Sequence, residues 1–147
     1  MNFKKRGDFM KYKFKFNDKE YELNNENIIE LINDEENPIE GLDENKILEL
    51  LSESDKVDFQ KAYYDTPCEV CNENFKEKKS ISEYLEYYFY VYSKDGKYVI
   101  SNISKEYEGL TYNRLELEGK VDNSYIVTVI VCANCSHNII QIEELEV

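Results

Sequence analysis

Two Cys-x-x-Cys pairs, Cys68-Glu69-Val70-Cys71 and Cys132-Ala133-Asn134-Cys135, use every cysteine of this 147-residue chain. Two residues between thiols let one tight turn point both sulfurs at one ion. Two such turns complete the four sulfur ligands that a structural zinc prefers. Cys68, Cys71, Cys132 and Cys135 are therefore the candidate metal ligands, for one zinc in a closed four-cysteine site. The 60 residues between the pairs exceed what a minimal zinc ribbon needs, and a sheet inserted between two knuckles accommodates them. A glycine after the second cysteine is common in such turns, but Asn72 and Ser136 stand there; asparagine tolerates a left-handed backbone and serine does so less readily.

Other uses of the four thiols compete with zinc. A disulfide framework suits a secreted chain better than a cytosolic one. A thioredoxin-like dithiol opens a helix inside a βαβ unit, and neither pair has that context. Rubredoxin-type iron or an iron–sulfur cluster takes the same four thiolates and stays open. His137, the single histidine, stands two residues past Cys135 and reads as a loop neighbour of the site. With four thiolates on the metal no position is left for water or substrate, so the site contributes folding energy and not Lewis-acid chemistry.

The length predicts one domain. Net charge is −13, unevenly spread. The first 15 residues hold six basic groups and one acid; the other 12 basic and 30 acidic groups leave residues 16–147 at −18. Between Asn25 and Asp55 eleven acids face the single Lys46. Such a surface repels phosphate backbones and argues against nucleic acid as a partner. No apolar run approaches the ~20 residues that span a bilayer. The basic start has no apolar stretch behind it, so it is no signal peptide, and a cytoplasmic location is expected. Met10 is a second possible start. Residues 1–9 read as a disordered or mis-started arm, and residues 10–147 as a single zinc-binding domain.

Apolar periodicity predicts an α+β fold. Tyr12, Phe14 and Phe16 alternate with lysines, and Tyr21 and Leu23 resume the alternation past Asn17-Asp18, so Lys11–Leu23 reads as a hairpin. Ile28, Ile29 and Ile32 behind a cluster of asparagines predict a first helix. Asp43 is the expected N-cap of a second, with Ile47, Leu48, Leu50 and Leu51 on its apolar side. Tyr84–Ser93 and Lys97–Ile103 flank the turn Lys94-Asp95-Gly96. Tyr125–Val131 is a β-branched run suited to a central strand covered on both faces, and it leads into the second cysteine pair. Ile139–Ile142 forms a short last strand. The expected architecture is an antiparallel sheet with two helices in the N-terminal half and a zinc-ribbon-like pair of knuckles at one end.

Catalytic patterns are lacking. Acids are plentiful but none stands out as a general acid–base couple, and there is no glycine-rich phosphate loop, nucleophile elbow or Ser–His arrangement. The expectation is a non-enzymatic, zinc-stabilised interaction module with another protein as partner. A thiol-based redox or metal-responsive protein is the alternative. The stripe Tyr84, Glu86, Tyr88, Tyr90 and Tyr92, opposite the core-facing Leu85, Tyr87, Phe89 and Val91, suits an interface unless the helices cover it.

The run Tyr63-Tyr64-Asp65-Thr66-Pro67-Cys68-Glu69-Val70-Cys71, with Tyr125–Val131 entering Cys132-Ala133-Asn134-Cys135, resembles a family of short acidic proteins from Clostridium-type bacteria. That family is known as a domain of unknown function. The resemblance runs from about Met10 to the C-terminus and implies a bacterial cytoplasmic protein. It brings no activity with it.

Overall fold

A computed structural model of the chain describes residues 10–73, 75–76 and 81–145. The arm expected over Met1–Phe9 lies outside them. Strands β1 (Lys11–Phe16) and β2 (Lys19–Asn24) form a two-stranded antiparallel hairpin. Asn17 and Asp18 close it with positive φ of 51° and 67°, the left-handed pair that short-sided Asn and Asp adopt most readily. The other strands are β3 (Ile28–Ile32), β4 (Gln60–Tyr64), β5 (Phe75–Lys76), β6 (Ile81–Lys94), β7 (Lys97–Ser101), β8 (Asn123–Cys132) and β9 (Asn138–Glu144). They make one seven-stranded sheet whose main path runs β3-β9-β8-β6-β4, with β5 and β7 also paired to the long β6.

Helix α1 (Glu44–Glu53) forms where Asp43 predicts it: the Asp43 carboxylate accepts the Lys46 N–H, satisfying one of the donors that a helix start leaves over. Its buried residues are Ile47, Leu48, Leu50 and Leu51. They join Leu85, Phe89 and Val91 of β6, Val127, Val129 and Val131 of β8, and Ile140 and Ile142 of β9 in one core. The hairpin closes that core from the same side with Tyr21 and Leu23, and Phe14 stacks on the buried Phe59 at 4.1 Å between ring centroids. A second, smaller cluster gathers Tyr92, Leu115 and Val121 around a short helix α2 (Tyr112–Leu117), which no periodicity had announced.

Three expectations change. The first helix is absent: Ile28–Ile32 is strand β3, paired in parallel with β9, so the sheet is mixed and not antiparallel throughout. The asparagines before it build a turn. Asn24 Oδ1 accepts the N–H groups of Glu26 and Asn27, and this reverses β2 into β3. Five residues with three β-branched isoleucines make a poor helix and a good strand once a partner is present. The two helices thus fall at 44–53 and 112–117, not both in the N-terminal half. Lastly, β8 is central but covered on one face only; its odd-numbered residues from Tyr125 are buried, while Ile126, Thr128 and Ile130 are half-buried on the other.

Candidate metal centre

The cysteines stand at strand ends on one margin of the sheet. Cys132 is the last residue of β8, in register with Tyr84 of β6, and its N–H donates to the His137 carbonyl, so the second pair forms the tip of the β8–β9 hairpin. Cys68 follows β4, which pairs with the same stretch of β6. Strand β6, paired with both β4 and β8, therefore brings both pairs to one place.

The two turns have the same local geometry. The Asn72 N–H donates to the Cys68 carbonyl at 2.9 Å, and the Ser136 N–H to the Cys132 carbonyl at 3.2 Å. Asn72 and Ser136 both take the left-handed conformation, with φ of 55° and 73°. These are the positions where glycine was expected, and the backbone demand exists without it. N–H groups also aim at the sulfurs: Glu73 to Cys71 at 3.4 Å, and Asn134 and Cys135 to Cys132 at 3.3 and 3.5 Å. Donors arranged in this way stabilise negatively charged sulfur.

All four Sγ atoms lie within 4.8 Å of one another. Cys68 and Cys135 are 3.7 Å apart, and Cys71 and Cys132 3.6 Å. A tetrahedral shell with metal–sulfur bonds of about 2.3 Å has edges of about 3.8 Å. The cluster fits one metal ion such as zinc, in a slightly opened tetrahedron, and no disulfide joins any pair. Four ionised thiols at this separation repel one another strongly, so the ionised cluster requires a cation at its centre. Burial pushes the Cys132 and Cys135 thiols up. Burial also acts against ionising Cys71, but the Asn134 amide, the Glu73 N–H and the adjacent thiols outweigh it and bring that group down to about 7.

The hairpin holds the second turn from outside, a feature no sequence motif had signalled. Lys19 Nζ donates to the carbonyls of Ala133 and Asn134 at 3.1 and 2.8 Å, and Tyr21 Oη to that of Ala133 at 2.9 Å. The ammonium also lies 5.3 Å from the Tyr21 ring centroid. A lysine here sets a positive charge beside the four thiols, where it would offset the excess negative charge of a tetrathiolate around a divalent ion. His137 sits at the rim with Nδ1 3.2 Å from Cys135 Sγ, outside the four-sulfur cluster.

Of the tyrosine stripe, Tyr92 is buried and Tyr90 half-buried against Leu115, Val121 and the flanking Tyr107 and Tyr112, and Tyr84 and Glu86 are half-buried beside Tyr64. Tyr88 remains 55% exposed. No described helix is long and apolar enough to cross a membrane. No curated protein and no solved structure matches the chain. A family model described as a protein of unknown function, DUF3785, matches residues 12–147, which takes in both cysteine pairs and every strand but the first residue of β1. The chain belongs to the DUF3785 family.

Proposed function

We propose that this chain is a zinc-stapled, non-enzymatic interaction module: a sheet held at one margin by a four-thiolate zinc and presenting its opposite surface to another protein. The observation that carries the reading is the closed sulfur shell, with edges of 3.6 and 3.7 Å and all four sulfurs within 4.8 Å. Zinc suits four thiolates held tetrahedrally and needs no further ligand, so it adds stability without an open catalytic position. The cluster sits at the margin of a sheet whose core is built elsewhere, as a staple should. Elemental analysis of protein purified without added metal tests it: about one zinc per chain is expected. Iron with visible absorption, or no metal, overturns the zinc assignment.

One observation favours a second reading, a thiol-based redox or metal-responsive protein. Cys71 and Cys135 are only half-buried, which leaves their sulfurs within reach of an oxidant. Hydrogen peroxide would take two electrons from two thiolates, leaving a disulfide and releasing the metal, with two protons consumed to give two waters. Prompt stoichiometric zinc release under mild peroxide favours the sensor, and inert thiols favour the staple.

A further inference from the structure

One face of the large sheet packs on α1 and the hairpin; the register places a second set of side chains on the other. On β6 these are Tyr84, Glu86, Tyr88 and Tyr90, opposite Ile130 and Ile126 of β8, which in turn face Ile139 and Glu143 of β9. Helix α2 and its neighbours cover this face at Tyr92 and part of Tyr90. At the other end, against the first cysteine turn, it sinks into a cavity of about 250 Å³. The floor is Tyr84, Ile130 and Ile139, and the wall is Thr66 to Glu69, which includes Cys68. Tyr64 stands edge-on to Tyr84 at 5.4 Å between centroids, and its hydroxyl donates to the Glu86 carboxylate at 2.7 Å, fixing that carboxylate among the rings.

Between Tyr84 and Tyr90 the charges at strand positions of this face have one sign. Along the span of β6 from Tyr84 to Tyr90, the charged side chains at strand positions of this face are Glu30, Glu86 and Glu143 among the described residues. Asp65 and Glu69 line the cavity mouth. The nearby Lys61 is in register with Leu85, on the opposite face, and is paired with Glu83. Electron-rich tyrosine faces interleaved with carboxylates attract a cation in two ways at once, through the ring quadrupole and through charge. The cavity adds an apolar seat of side-chain size.

We infer that this face binds a lysine- or arginine-bearing segment of a partner protein, with one apolar side chain anchored in the cavity and the cationic ones laid over Tyr88 and Glu86. The inference rests on the interaction-module reading and names its partner's chemistry. A second copy of the chain is a poor occupant, because a two-fold contact sets the same carboxylates against one another. Anionic polymers and anionic lipid surfaces are repelled by the same groups.

The test uses the zinc-loaded full chain and three synthetic hexapeptides, alternating leucine with lysine, glutamate or serine, with amide chemical shifts as the readout. The leucine–lysine peptide is expected to shift the amides of 84–90, 126–130 and 139–143 and to bind more weakly as salt rises. The double variant Tyr88→Ser/Glu86→Gln should weaken it by at least about tenfold. Glu49→Gln, which removes one charge from α1 and leaves this face intact, should not. Equal binding of the leucine–serine peptide at this face overturns the cationic preference and leaves the module reading standing. Shifts confined to residues 25–55 overturn the site, since they report only general attraction to the acidic segment. No shift with any peptide overturns it too, as do shifts at this face on concentrating the protein alone, which assign it to self-association.

Discussion

Ser136 and Asn72 occupy the same place in their respective cysteine turns, and both carry a side chain where the backbone is left-handed. The cost of that conformation for an L-residue is roughly 1–2 kcal/mol, less for asparagine, whose short amide supports it. Ser136→Gly should therefore raise stability by about 1 kcal/mol and Asn72→Gly by less, read from denaturant midpoints of the metal-loaded protein; a loss in both would mean that the side chains themselves hold the turns. The requirement at these positions was legible from the spacing of the cysteines, although the residues that meet it were not the usual ones. Asp34 illustrates the reverse case, a residue with no motif and several partners. Its carboxylate accepts N–H groups from Glu144, Asn37 and Glu36 and is held below its ordinary value of 3.8 by them. A depressed folded-state pKa adds stability that is present above the unfolded value and lost as pH falls through the folded one. Asp34→Asn should then be less stable than the parent at pH 7, and the gap should narrow as pH drops below about 4. A gap of constant size down to pH 2 would remove the carboxylate's charge from the explanation.

Among elements, the ones set by local rules were readable and the ones set by distant partners were not. The hairpin read as Lys11–Leu23 declares itself by alternation and by Asn17-Asp18, and α1 by its cap and apolar stripe, because every interaction that defines them lies within a few residues. Ile28–Ile32 gives the same isoleucine spacing to a helix or to a strand; the partner that decides, β9, lies 110 positions away at the pair Ile28 and Asn138. The site divides in the same manner. Spacing alone identified all four cysteines, whereas the hairpin's grip on the second turn through Lys19 and Tyr21 depends on two sheets meeting. That grip should be measurable. Tyr21→Phe removes one of the two donors on the Ala133 carbonyl, Lys19 remaining, and should cost about 1 kcal/mol, with a faster loss of zinc to a chromogenic chelator. An unchanged chelation rate would confine the hairpin to core packing.

For the whole molecule, the proposed zinc staple and the apolar core are expected to be separate sources of stability. Tying Cys71 to Cys132 closes a loop of about 61 residues, and by analogy with a covalent cross-link this is worth about 4 kcal/mol of unfolded-state entropy. Removing the ion with a strong chelator should lower the melting temperature by roughly 10–15 °C without unfolding the chain, since the core around Leu85, Val127 and Ile140 contains no ligand. Amide protection should fall first at the cysteine turns and the adjoining ends of β8 and β9, and last in the middle of β6 and β8. Cys68→Ser and Cys132→Ser should each reproduce the chelated state, because either leaves three ligands. Full protection after chelation would end the structural role of the cysteines. The parallel pairing of β3 with β9 carries a cost of another kind, one of time. Ribosomes add about 5–20 residues per second, so β3 exists for roughly 5–20 s before its partner strand is made. Throughout that interval Ile28, Ile29, Leu31 and Ile32 are an apolar segment without its partner strand, and Glu30 is the single charge within it. Glu30→Val should leave the finished protein nearly as stable yet send more of the nascent chain into aggregates at high expression, which makes this one glutamate a guard over synthesis more than a part of the fold.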